Sequence, residues 1–82
     1  MNDYMKMFIE YELGILKTMC RNLMDDLEAG YDYFSPECRH QRDTIDARRI
    51  VFENNLRDLK KTPEEDAQDW CKSRLAKLGV ID

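Results

Sequence analysis

The residues best suited to binding a ligand form an aromatic and basic cluster in the middle of the chain. Arginine guanidinium groups match phosphate oxygens in shape and charge, and aromatic rings can stack on nucleotide bases. The helix that follows the aromatic residues also offers backbone N–H groups to an anion at its start. This pattern raises the hypothesis of a nucleotide or other phosphate ligand. The candidate residues are Tyr31, Tyr33, Arg39, His40 and Arg42, extended by Phe34, Arg48 and Arg49.

The same cluster has a second, purely structural interpretation. Asp43, Asp46 and Glu53 each lie three or four residues from an arginine, which allows ion pairs along a helix face. Aromatic residues between two helices also commonly cover the end of a core. The sequence alone leaves both interpretations open.

Three cysteines and one histidine are the candidate metal ligands and nucleophiles. Cys38 and His40 are two residues apart, which places them on different sides of a helix, and no C-x-x-C knuckle accompanies them. Cys20 and Cys71 fall on apolar stripes, where cysteine behaves as a small hydrophobic residue. A catalytic cysteine would need an oriented histidine and an oxyanion loop, for which there is no motif. We expect no metal, no cofactor and no enzymatic activity.

The balance of charge argues against several classes of partner. The 82 residues carry a net charge of −4, which is not typical of duplex-DNA binding, since that affinity comes from neutralising phosphates. Charged residues interrupt every apolar run before it reaches the length of a membrane span. With three cysteines and no recognisable secretory signal, we expect a soluble, cytoplasmic protein with reduced thiols.

Acidic residues cluster near the end of the first predicted helix and at the start of the third. Clusters of this kind can imitate nucleic-acid phosphate and block a basic groove on a partner, although solvated helix ends give the same pattern. We therefore keep an acidic nucleic-acid mimic as a weaker alternative. The two clusters are Asp25, Asp26, Glu28 and Asp32, and Glu64, Glu65, Asp66 and Asp69.

Three amphipathic segments separated by turn residues predict an all-α fold. The predicted helices span about residues 3–28, 36–60 and 63–78. Both connections are short, so neighbouring helices should run antiparallel, and the second and third should pack as a hairpin. We expect one domain over residues 1–82: a small bundle of two long antiparallel helices plus a shorter C-terminal helix.

Local signals mark the ends of these helices. Ser35 followed by a proline is typical of a helix start, and Gly30 and Gly79 are suited to the residue after a helix. Thr62, with Glu65 three residues later, predicts a capping box at the start of the third helix.

Inward stripes of the second and third helices complete the predicted core. The second helix offers Cys38, Ile45, Phe52, Leu56 and Leu59, widened by Ile50 and Val51. The third helix offers Ala67, Trp70, Cys71, Leu75 and Leu78.

The first helix carries two apolar stripes, whereas an ordinary surface helix has one. The stripe of the second helix is interrupted at Gln41, Arg48 and Arg49, so the other two helices look too sparse to cover both. We therefore predict that the second stripe is an interface, although a central first helix with both stripes in the core is the alternative. The first stripe is Met5, Ile9, Leu13, Leu16, Cys20, Leu23 and Leu27, and the second is Tyr4, Phe8, Tyr11, Ile15 and Met19.

These observations favour a small, non-enzymatic protein-interaction module. We expect it to self-associate as a dimer or higher symmetric oligomer through the first helix. It would act as an inhibitor or adaptor that occupies a surface of a larger protein, of the kind that small mobile elements encode. The alternative is a protein that binds or sequesters a nucleotide or phosphate ligand at the aromatic and basic cluster.

Overall fold

The fold is all-α, as the sequence predicts. The computed structural model describes residues 3–82 and contains three helices: α1 (Tyr4–Glu28), α2 (Pro36–Lys61) and α3 (Glu64–Lys77). Contacts between α1 and α2 run in opposite sequence directions, since Glu12 meets Arg48 and Asp26 meets Gln41. The two long helices are therefore antiparallel, and the shorter third helix follows them.

Most predicted helix ends are confirmed. The Ser35 hydroxyl accepts a hydrogen bond from the Cys38 N–H at 3.3 Å, so Ser35 caps α2. Gly30 and Gly79 follow α1 and α3 with φ angles of 101° and 76°, in the left-handed region that glycine tolerates best.

The predicted capping box at Thr62 is wrong. The Thr62 hydroxyl donates to the Asp58 carbonyl at 2.7 Å, so it bonds back to the end of α2. Pro63 occupies the N-cap position of α3 and makes no side-chain cap bond. A threonine between two helices can serve either neighbour, and here the preceding turn takes its hydroxyl.

α1 is the central helix of the bundle. Both α2 and α3 pack on α1, while α2 and α3 make little direct contact, so the predicted hairpin of the second and third helices is wrong. The core forms around Phe8, whose ring lies 6.2 Å from Phe52 and 5.3 Å from Trp70 between centroids. The buried cluster comprises Phe8, Phe52, Leu59, Ala67, Cys71 and Leu75.

The prediction that the second stripe of α1 is an exposed interface is wrong for its first half. Phe8 is fully buried, and Tyr4 and Tyr11 pack against the same core cluster, because α3 lies over this part of α1. Ile15 and Met19 are half-buried and lie farther along the helix. The central position of α1, considered above as the alternative, therefore accounts for the first half of this stripe.

Polar contacts fill two of the three interruptions in the α2 stripe. Arg48 lies 3.4 Å from the carboxylate of Glu12, which is itself buried, and the Gln41 amide donates to Asp26. These two gaps therefore meet acidic residues of α1, so α2 covers α1 over more of its length than its apolar residues alone would allow. The third, Arg49, is exposed and pairs with acids of α2 itself.

Four residues of α2 and α3 that the sequence placed inward are instead well exposed, and so are Leu13 and Cys20 of the first α1 stripe. α2 and α3 each bury a narrow stripe against α1, so residues at the edge of that stripe remain in contact with solvent. Trp70 touches Phe8 with its ring edge yet stays partly open. The four residues are Ile50, Val51, Trp70 and Leu78.

α3 is too short to cover the whole hairpin of α1 and α2. α3 has 14 residues, whereas α1 has 25 and α2 has 26. The residues that α3 contacts in the core lie before residue 17 in α1 and after residue 51 in α2. We call residues 15–28 and 36–48 the open half. Among the described residues of the open half, Cys38 is the single apolar residue that is buried. The radius of gyration is 15.6 Å, against about 12 Å for a compact chain of this length.

A glutamine of α3 fixes the start of α1. The Tyr4 and Met5 N–H groups donate to Gln68 Oε1 at 2.7 and 3.2 Å, and Gln68 Nε2 donates to Asp3 Oδ1 at 3.0 Å. Asp3 also accepts from the Lys6 N–H and is the N-cap of α1. The Gln68 hydrogen bond, followed by the backbone bond from Lys6, lowers the pKa of Asp3 below its ordinary value.

Replacement of Phe8 should unfold the chain far more readily than replacement of an exposed phenylalanine. We expect Phe8→Ala to lower the free energy of unfolding by about 3–5 kcal/mol, because it leaves a cavity between three helices. Phe34→Ala, at an exposed position, should change it by less than about 0.5 kcal/mol. Urea unfolding followed by circular dichroism compares the two, and equal losses would contradict this core.

Removal of the Gln68 side chain should raise the pKa of Asp3 toward its ordinary value, because the Gln68 hydrogen bond is the largest cause of the lowered pKa. Because the folded pKa is lowered, Asp3 stabilises the fold above its unfolded pKa, and this contribution disappears as the pH falls through the folded pKa. Gln68→Ala should therefore reduce stability at neutral pH and weaken its dependence on acid. Carboxyl NMR titration measures the pKa. Gln41→Ala is the control, and an equal Asp3 shift in that variant would contradict the assignment.

Candidate protein-docking site

The connection between α1 and α2 carries three exposed aromatic residues, which we call the aromatic tip: Tyr31, Tyr33 and Phe34. Phe34 is 79% exposed. The Asp32 carboxylate accepts a hydrogen bond from the Phe34 N–H at 2.9 Å, and the Asp32 carbonyl accepts from the Ser35 N–H at 2.9 Å. The turn is therefore closed by its own hydrogen bonds just before α2 begins.

Arg42 contacts two of the three side chains of the aromatic tip. Its guanidinium carbon lies 4.1 Å from the centre of the Tyr33 ring and 6.0 Å from that of Phe34. Tyr33 and Phe34 meet edge to face, with centroids 5.1 Å apart. Cation–π contacts and edge-to-face stacking are both attractive, so both contacts stabilise the position of the exposed Phe34 ring.

The predicted phosphate-binding residues do not converge on one site. Tyr33 and Arg42 are in contact, and Tyr31 and Arg39 are exposed near them in sequence. His40 instead lines a separate groove between α1 and α2. Arg42 covers one face of the Tyr33 ring, on which a base could otherwise stack. Ligand binding by these residues remains a prediction.

Two of the other arginines are paired with acids. Arg49 lies 3.2 Å from Glu53 and 3.8 Å from Asp46, which is the structural interpretation that the sequence left open. Arg48 pairs with Glu12 across the helices. Arg42 makes no ion pair within residues 3–82, and its Nε atom is buried without a hydrogen-bond partner in that range. Its guanidinium group instead contacts the aromatic rings of Tyr33 and Phe34.

A groove of about 380 Å³ runs between α1 and α2 in the open half. It continues into a second depression that shares Met19 and Thr44 with it and ends at Arg74 of α3. The groove is a mixed surface of apolar and hydrogen-bonding side chains, which suits a protein segment better than a charged small molecule. It is lined by Met19, Asn22, Asp26, His40, Gln41, Thr44 and Ile45.

The cysteines and the histidine lie in different environments. Cys38 and Cys71 are buried, Cys20 is exposed, and His40 faces the groove. Burial, followed by the negative charge of Asp3, raises the pKa of the Cys71 thiol and favours its protonated form. Within residues 3–82, no three metal-binding side chains lie close enough together to hold an ion.

The two acidic clusters lie at opposite ends of α1. The first occupies the last turn of α1 and continues to Asp32 after it, whereas the start of α3 lies beside the start of α1, where Gln68 caps it. Asp26 is engaged by Gln41. The structure therefore offers two separate acidic ends, and not the continuous acidic strip that would best imitate a nucleic-acid backbone.

The inward position of Glu12 was missed by the sequence analysis. Glu12 lies one helical turn after Phe8, on the face that meets α2. The sequence does contain an indication that Glu12 faces inward: Arg48 interrupts the apolar stripe of α2, and a charge at such a position requires an acidic partner on the facing helix.

Removal of the Arg42 charge should loosen the aromatic tip with little loss of stability. We expect Arg42→Met, which keeps an unbranched side chain, to cost about 0.5–1 kcal/mol and to increase the motion of the Phe34 ring. Urea unfolding and NMR relaxation of the aromatic groups measure both effects. Arg39→Met is the matched control at an exposed position of the same helix, and equal effects of the two variants would contradict the role of Arg42.

Within the described residues, no helix has both the length and the apolar character needed to cross a membrane. Comparison of the chain with protein-family models, with curated proteins and with solved structures finds no match.

Proposed function

We propose that this chain is a small protein-interaction module that binds a larger protein through the aromatic tip. The observation that carries the proposal is Phe34, which is 79% exposed while its ring packs edge to face with Tyr33 and lies 6.0 Å from the Arg42 guanidinium carbon. An exposed aromatic ring normally loses conformational freedom when it binds. A ring that is already positioned loses less, which improves affinity.

The composition of the aromatic tip supports a protein partner. Tyrosine, phenylalanine and arginine are enriched at protein interfaces, where a few such residues provide most of the binding energy. Phe34 would enter a pocket of the partner, while Tyr31 and Tyr33 would contact its rim through their rings and hydroxyl groups. The groove of the open half begins on the adjoining helices and extends the surface available to the same partner.

Occupying a partner surface is the mode of action that we propose, as an inhibitor or as an adaptor. The alternative, a nucleotide or phosphate binder, is less well supported because the structure separates His40 from Arg42 and stacks Arg42 on Tyr33.

Replacement of Phe34 should abolish partner binding without affecting the fold. We expect Phe34→Ala to reduce capture of partner proteins from the native host by at least about tenfold, since a central aromatic contact is worth about 2 kcal/mol or more. Capture by purified wild-type and variant chains, measured by quantitative mass spectrometry, provides the test.

The matched control is Ile50→Ala, which truncates a half-exposed apolar side chain of α2 outside the tip. Its capture should equal that of the wild type. A set of captured proteins that is the same for wild type, Phe34→Ala and Ile50→Ala would contradict the proposed docking role of the aromatic tip.

A further inference from the structure

The outward face of α1 carries a regular stripe of exposed residues. Their spacing of four, four, three, four and four returns to the same side of the helix at every step. Neither Glu10 nor Arg21 has an ion-pair partner within residues 3–82, although both lie in this stripe. The stripe is Lys6, Glu10, Gly14, Lys17, Arg21 and Asp25.

Charges at equal distances from the centre of the stripe have opposite signs. Lys6 is positive and Asp25, its counterpart at the other end, is negative. Glu10 is negative and its counterpart Arg21 is positive. Glu10 with Arg21, and Lys6 with Asp25, share one midpoint between Ile15 and Leu16. The middle of α1 (Tyr4–Glu28) is Leu16 itself.

We propose that a second copy of this chain docks on this face, with its α1 antiparallel to the first. In this arrangement Glu10 of each copy lies opposite Arg21 of the other, and Lys6 of each lies opposite Asp25 of the other. A two-fold axis near the middle of α1 generates every contact twice, as in most homodimers. A parallel arrangement would place like charges together, so the charge pattern selects the antiparallel one.

The surface of α1 near the proposed axis is open at Gly14, where a second helix could approach closely. Gly14 has no atom within 4 Å of the position that a Cβ would take, so nothing in the chain itself uses its small size. A glycine inside a helix costs about 1 kcal/mol relative to alanine. The Thr18 hydroxyl donates to the Gly14 carbonyl at 3.0 Å, so covering this face would not leave that donor unpaired.

The chain as a whole exposes more area than a compact monomer of the same mass. A compact monomer of 9.8 kDa exposes about 5,200 Å², whereas this chain exposes 6213 Å². The excess of about 1,000 Å² is similar to the roughly 800 Å² that each partner buries in an interface of standard size. Tyr11, Ile15 and Met19 flank the stripe and would supply apolar contact.

Like charges also meet in the same arrangement. Lys17 lies beside the axis, opposite Gly14, so Lys17 of each copy approaches Lys17 of the other. Asp3 of each copy would face Glu28 of the other at the outer ends of the contact. All three positions are exposed, where solvent and salt screen the repulsion. The opposite charges, Glu10 with Arg21 and Lys6 with Asp25, are therefore expected to set the register.

The test is the mass in solution, measured by light scattering after size exclusion at increasing protein concentration. We expect twice the chain mass of 9.8 kDa for the wild type. Arg21→Glu should weaken dimerisation about tenfold by placing two repulsive pairs in the contact. Adding Glu10→Arg to the same chain should restore it, since each contact then joins the exchanged charges.

Arg57→Glu provides a control with the same change of charge at an exposed position of α2, and it should leave the dimer unchanged. A wild-type monomer at millimolar concentration would overturn the proposal. Equal effects of Arg21→Glu and Arg57→Glu, or no recovery in the double variant, would also overturn it. Loss of partner capture in Arg21→Glu without a change in mass would assign this face to another protein, and likewise overturn docking of a second copy.

This inference does not depend on the aromatic tip. Phe34→Ala should leave the mass unchanged, and the exchanged-charge variants should retain an intact aromatic tip. Failure of the dimer and failure of partner docking are therefore separate results.

Discussion

The arrangement of the molecule depends on a mismatch in helix length. α1 and α2 have 25 and 26 residues, while α3 has 14 and covers α1 only up to its middle. Three helices surround Phe8 and build a core there, whereas two helices alone make up the open half. Two helices bury little apolar surface, so the open half relies on the Gln41–Asp26 contact and on Cys38. Its exposed residues are the ones available to other molecules.

The two proposed surfaces would give the protein two binding sites in a dimer. The aromatic tip lies after the end of α1, and the stripe of exposed residues from Lys6 to Asp25 runs along α1. An antiparallel pair of α1 helices would therefore place the two aromatic tips at opposite ends of the assembly. Such a dimer can bridge two partner molecules, or bind a symmetric partner with greater avidity than one copy provides. Bridging favours the role of an adaptor, and a single docked copy favours that of an inhibitor.

Features fixed by neighbours in sequence were predictable, and features fixed by tertiary packing were not. The three helices and the Ser35 cap follow from local spacing and local hydrogen bonds. The burial of Phe8 depends on where α3 packs, and an apolar stripe looks the same on a core face and on an interface. The Thr62 hydroxyl had two possible partners: the Asp58 carbonyl, to which it donates, and a backbone N–H of α3, from which it could have accepted. The aromatic and basic cluster was found, but its five candidate residues were read as one site, because sequence does not show that Arg42 turns toward Tyr33 while His40 turns toward the groove.

The most direct test of the unequal halves is amide hydrogen exchange of the wild-type chain at low and high protein concentration. We expect strong protection around Phe8, Phe52 and Leu75 at both concentrations, because this core belongs to the single chain. Residues 15–28 and 36–48 should be less protected in dilute solution, and the protection of α1 should rise with concentration as a second copy docks. Uniform protection of both halves at every concentration would contradict the division into a three-helix core and an open half.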